Sequence, residues 1–143
     1  VHELKRRHPE LTIVINGGLA SLEEAEAQLR HVDGVMLGRA AYHTPWILHD
    51  VDRRFFGGGE FNENPETVVE RMKPYIAEQL AKGVWLQHIT RHMLGLFHGL
   101  PGGRHWRRVL SQEVVGPHAG LEVIDRALDE VLRRAPLSIM AAE

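Results

Sequence analysis

Thr12-Ile13-Val14-Ile15-Asn16-Gly17-Gly18 opens the stretch that decides the fold, and Val35-Met36-Leu37-Gly38-Arg39-Ala40 closes it. Each half is a short apolar run delivered into a glycine-bearing turn, with residues at helical spacing after it. Two buried strands, each followed by a helix, make one step of a parallel α/β layout. Glycine at such a turn lets backbone N–H groups come close to a ligand, and the following helix aims its positive end at the same place. Side by side, the two turns predict an anion cradle built by Asn16, Gly17, Gly18, Gly38 and Arg39. A phosphate site of this kind sits at the ends of strands seven and eight in (β/α)8 barrels. The same residues also describe two ordinary tight turns, and spacing alone leaves both readings open. Neither the dinucleotide fingerprint nor the P-loop is present.

Working outward, Ser21-Leu22-Glu23-Glu24 is a capping box, and Leu22, Ala25 and Leu29 recur on one helical face. Asp33-Gly34 turns the chain into the second strand. Helix resumes over 40–48, where Pro45 divides it, and continues over 50–56. Upstream, Val1 to His8 reads as the end of an amphipathic helix closed by Pro9, with no initiator Met. A two-stranded parallel sheet leaves both edges unpaired and is not stable alone. The expectation is therefore the C-terminal part of something longer.

Gly57-Gly58-Gly59 is the best boundary in the sequence, dividing a segment 1–57 from a segment 58–143. Beyond it the periodicity is helical throughout. Asn64-Pro65 supplies an N-cap and an N1 proline to a helix with a Val69, Met72, Ile76, Leu80 stripe, kinked at Pro74 and ended by Gly83. A second helix is expected over 86–97, with Leu86, Ile89, Met93 and Phe97 inward. A third carries Trp106, Val109 and Leu110, and a fourth spans 119–134 with Leu121, Ile124, Leu128 and Val131 inward. The fold class is α/β followed by all-α: the last two βα units of a (β/α)8 TIM barrel, then a four-helix bundle.

Composition sets the outer limits. The chain has 143 residues, 43% of them hydrophobic, which suffices for a core. It has no cysteine, so disulfides, zinc–thiolate sites and a thiol nucleophile are excluded; this fits a reducing, cytoplasmic setting. No apolar run approaches the roughly 18 residues needed to span a bilayer. The net charge of −2 argues against a wholly basic protein, yet it conceals a local excess. Between residues 71 and 108 seven basic residues stand against Glu78 alone, with His88, His92, His98 and His105 among them. That is enough for a polyanion footprint, although such charge also serves merely as a solvated face. His88 and His92 have the spacing of two metal ligands on one helical turn, but no third ligand is evident, so no metal is expected. Trp85 and Trp106 suit base stacking or core packing.

Several of these segments resemble the tRNA-dihydrouridine synthases, the A-type subfamily in particular. The resemblance is carried by residues 11–18 and 35–42, then by Ile89-Thr90-Arg91-His92-Met93-Leu94-Gly95-Leu96-Phe97 and Gly99-Leu100-Pro101-Gly102-Gly103-Arg104-His105-Trp106-Arg107-Arg108. It covers the chain to about Ser111 and is weaker beyond. It implies an FMN-binding (β/α)8 barrel followed by a helical tRNA-binding domain, with NADPH as reductant and D-loop uridine in tRNA as substrate. Asn16, Gly17, Gly18, Gly38 and Arg39 would then contact the FMN phosphate. Arg91, His92, Arg104, Arg107 and Arg108 would contact tRNA. The family's general acid is a cysteine on an earlier barrel loop, which this chain lacks, so the N-terminal barrel would be needed for activity. Two rivals remain: a fragment of another FMN barrel acting on a small molecule, and a freestanding helical RNA-binding module.

Overall fold

A computed structural model describes residues 1–59 and 63–134. Residues 60–62, in the expected linker, and 135–143, in the expected helical segment, lie outside the described residues. The chain divides into two compact units, Val1–Phe61 and Asn62–Glu143. The described residues hold eight α-helices, one 3-10 helix and one parallel pair of strands.

In the first unit, α1 (His2–Arg7) precedes β1 (Val14–Asn16), α2 (Leu22–Leu29) and β2 (Gly34–Met36). The strands pair in parallel with Val14 opposite Gly34 and Asn16 opposite Met36. Asp33 locks this register, since its carboxylate accepts the Ile13 N–H at 2.8 Å and pairs with Lys5 Nζ at 2.8 Å. The capping box forms: Ser21 Oγ accepts the Glu24 N–H at 3.1 Å, and Glu24 Oε2 reaches back to the Ala20 N–H at 2.6 Å. After β2 come α3 (Arg39–His43), the 3-10 helix (Pro45–Asp50) and α4 (Val51–Phe55), so Pro45 does divide the helix. Arg54 ties α4 back to α2 through Glu26 at 2.9 Å and Glu23 at 2.5 Å. Those two carboxylates hold its guanidinium pKa even higher than usual.

The strands are not buried, contrary to the sequence reading. Val14 is 57% and Met36 48% exposed. An apolar run shows what a residue prefers to touch; burial needs further layers against it, and the pair has no third strand among the described residues. Among the described residues of this unit only Leu22, Ala25 and Val32 are buried hydrophobics.

The second unit holds the main core. Here α5 (Pro65–Ala81) starts as expected, Asn64 Oδ1 accepting the Thr67 N–H at 2.8 Å with Pro65 at the first helical position. It runs on through the exposed Pro74 without a break. Gly83, at φ +84°, ends it: the Gly83 N–H reaches Leu80 O at 2.9 Å and the Val84 N–H reaches Gln79 O at 3.0 Å, a Schellman pair. Next are α6 (Leu86–Thr90), α7 (Gly103–Gln112) and α8 (Leu121–Leu132). Trp106, Phe97, Ile76, Leu86 and Ile124 are fully enclosed.

The second of these helices is shorter than the sequence reading of 86–97. It stops at Thr90, and the chain continues to Leu100 through turns with i to i+3 bonds, such as Met93 N–H to Thr90 O at 2.8 Å and Leu96 N–H to Met93 O at 3.1 Å. Gly95, a poor helix former, lies mid-segment, and the Met93 carbonyl that accepts the Leu96 N–H also accepts the buried Trp106 indole at 2.9 Å, which ties this turn to α7. Met93, Leu96 and Phe97 are buried regardless. No described helix is long and apolar enough to cross a membrane.

Candidate functional site

Because Asn16 stands opposite Met36, the chain leaves both strands at the same level. The two turns that follow line one open cleft of about 430 Å³. Asn16, Gly17, Gly18, Gly38 and Arg39 all border it, so the five cradle residues named from the sequence lie together. Gly17 and Gly18 have φ of +110° and +76°, a region side-chain-bearing residues rarely adopt. A Cβ on either would meet nothing within 4 Å, so open space lies beside both. The Gly18 N–H makes no backbone hydrogen bond among the described residues. Arg39 is exposed and enters no ion pair among them. Left-handed glycines, an available N–H and an uncommitted guanidinium bordering empty space form a donor set that fits a phosphate monoester.

The helix ends contribute less than the sequence reading assumed. A single turn, Arg39–His43, is all that follows Gly38, and it carries only a small dipole. The first turn of α2 is closed by its own Ser21 and Glu24 side chains. His43, missed in the sequence, also borders the cleft. Its signal was available: four residues after Arg39, it shares that residue's helical face.

The candidate RNA contacts occupy the second unit. On α7, Trp106, Val109 and Leu110 face the core while Arg104, Arg107 and Arg108 project from the opposite side. These three arginines are exposed and make no ion pair among the described residues, whereas Arg126 on α8 is engaged with Glu113 at 2.8 Å. A stripe of uncommitted guanidinium groups at i, i+3 and i+4 suits a row of phosphates. Arg91 and His92 do not lie on α7; they follow α6, with Arg91 Nε donating to His92 Nε2 at 3.0 Å. Trp106 is core and Trp85 is 45% exposed. With α6 ending at Thr90, His88 and His92 are not stacked on one continuous helix.

Compared with known proteins, residues 1–132 match the family model described as dihydrouridine synthase (Dus). The chain belongs to the dihydrouridine synthase family. It is 53% identical over 128 residues to the tRNA-dihydrouridine(20/20a) synthase of Escherichia coli strain K12, covering 90% of this chain and 37% of that protein. The same-named protein of Salmonella typhimurium strain LT2 is 53% identical over 128 residues, covering 90% of this chain and 39% of the relative. That of Vibrio parahaemolyticus is 51% identical over 130 residues, covering 91% and 40%. The dihydrouridine synthase resemblance read from the sequence is thereby borne out. The chain spans about two fifths of the length of these relatives.

Proposed function

We propose that the protein to which this chain belongs is a flavin-dependent tRNA-dihydrouridine synthase, with these residues supplying its FMN phosphate site and its tRNA-binding domain. The observation that carries the reading is the shared cleft: two parallel strands end at one level, and their turns offer an anion site. On this reading β1 and β2 are strands seven and eight of a (β/α)8 barrel. The remaining strands, from the rest of the protein, cover the exposed Val14 and Met36. Residues 58–143 form the helical tRNA-binding domain, a four-helix bundle.

When bound and reduced by NADPH, FMN supplies the hydride that converts uracil to 5,6-dihydrouracil. The chain's own residues anchor and neutralise. Gly17 and Gly18 present backbone N–H groups to the phosphate, Gly38 lets the second turn approach it, Asn16 offers its amide, and Arg39 balances the charge. Arg91, His92, Arg104, Arg107 and Arg108 grip the backbone of the tRNA whose D-loop uridine is the substrate. The relatives' names designate positions 20/20a, and we assign the same uridines here. These 143 residues contain no cysteine, so the proton donor that completes the reduction belongs elsewhere in the protein, and this part alone is inactive. A cytoplasmic location follows from the substrate.

The test is gel mobility of the chain with tRNA across a salt series. Four arginines on phosphates predict a log–log slope of roughly −3 to −4, at about −0.9 per phosphate. Absence of a complex at low salt removes the RNA assignment. Flavin retention by the full-length enzyme tests the cradle separately.

A further inference from the structure

Neither the cradle nor the arginine stripe accounts for a second cleft, on the helical unit, of about 430 Å³. Tyr75 and Gln79 of α5 form one wall, His88 and His92 the other, and Ile89 and Met93 lie between. Its volume falls in the range of small-molecule sites, about 300–1,000 Å³. Tyr75 is 49% exposed, a large ring that the core does not claim. Trp85, 45% exposed, has its ring 6.3 Å from that of His88. Among the described residues, no carboxylate lines the cleft. A cation stands at its rim, because Arg91 donates to His92 and enters no ion pair among the described residues.

An aromatic face, an apolar floor, amide and imidazole groups at the edge, and a guanidinium at the mouth match one kind of occupant. We propose that this cleft receives an unstacked nucleobase of the bound RNA, its face against Tyr75 and its edge toward Gln79 and His88, with Arg91 on the adjoining phosphate. The proposal rests on the tRNA reading above and deepens it from backbone contact to base capture. The charge complementarity is specific: a hydrophobic peptide gains nothing from Arg91, whereas a nucleotide uses both the ring and the cation.

The test compares the full chain with its Tyr75→Ala and Tyr75→Phe variants for tRNA affinity over a salt series, with Arg107→Glu/Arg108→Glu as reference. Tyr75 is half exposed, so the substitutions leave the core intact. Loss of one stacked base predicts affinity about 5- to 150-fold weaker for Tyr75→Ala, with the salt slope unchanged. Tyr75→Phe, which keeps the ring, stays within about 3-fold of the parent. If Tyr75→Ala binds as tightly as the parent while the double arginine variant does not, the cleft serves another occupant and the proposal is overturned, with the RNA reading intact. Equal losses in both Tyr75 variants likewise exclude stacking. No binding by the parent at low salt brings down both.

Discussion

Gly102 and Gly103 join the turn after Phe97 to α7, and the structure assigns each a different reason to lack a side chain. At Gly103 a Cβ would lie 2.0 Å from the Phe97 carbonyl oxygen, with no unusual backbone angle involved. At Gly102, φ is +80° and a Cβ would lie 2.7 Å from the Val131 Cα on α8. Gly99 supplies the control, with φ +78° and open space where its Cβ would go. Alanine at Gly99 therefore costs only the left-handed conformation, roughly 1–2 kcal/mol. Alanine at Gly103 costs only the clash, about 1–3 kcal/mol. It adds roughly 1 kcal/mol more if moving the Phe97 carbonyl breaks its 3.2 Å bond from the Leu100 N–H. Alanine at Gly102 carries both penalties, about 2–5 kcal/mol. Urea unfolding, followed by Trp106 fluorescence with Trp46 and Trp85 replaced by phenylalanine, measures the series on the helical unit. A Gly102→Ala variant no less stable than Gly99→Ala would refute the close approach of this turn to α8, and with it the orientation assigned to the Arg104, Arg107, Arg108 stripe.

Three further outcomes are expected. Arg107→Glu with Arg108→Glu, in the full-length enzyme, weakens tRNA binding at least 10-fold and flattens the salt slope by about two, leaving flavin content unchanged; mobility shift and flavin absorbance measure the two. Gly17→Val does the reverse, because a β-branched residue at φ +110° is strained and its side chain enters the cleft; flavin retention after gel filtration falls while tRNA affinity holds. The third concerns acid stability. Hydrogen bonding from the Ile13 N–H, and then from Lys5, holds the Asp33 carboxyl below the usual aspartate range. A depressed folded pKa stabilises above the unfolded value of about 3.9 and loses that contribution as pH falls through the folded value. Asp33→Asn should therefore lower the unfolding midpoint at pH 7 and narrow the gap between pH 7 and pH 3, as measured by thermal melts.

What the sequence reveals and what it hides divide along the range of the interactions. The Ser21–Glu24 box, the Asn64-Pro65 start and the Gly83 stop are each settled within five residues of chain, and each formed where the pattern placed it. The turns after α6 were hidden in part because they are tied down from a distance, the Trp106 indole bonding the Met93 carbonyl thirteen residues back. No local pattern encodes that contact. Burial of Val14 was misread for a related reason, since hydrophobicity states a preference and only neighbours satisfy it. The cleft around Tyr75 draws residues from α5, α6 and the turn beyond, so no single periodicity marks it.

The cradle shows the same division within one site. Its five residues are legible as two turns, but what would draw an anion to them is not. A dipole account requires long helices with free first-turn N–H groups, and neither helix offers them. The one after Gly38 has five residues; α2 has Glu23 and Glu24 in its first turn, negative charges that repel an anion there. What remains is local: the left-handed backbone at Gly17 and Gly18, which border the cleft, and the Arg39 guanidinium, which no carboxylate among the described residues engages. On the proposed reading, an anion site of this construction depends on turn geometry fixed by glycine. The register of the strand pair, set in turn by Asp33 on Ile13 and Lys5, therefore governs whether the two halves of the cradle meet.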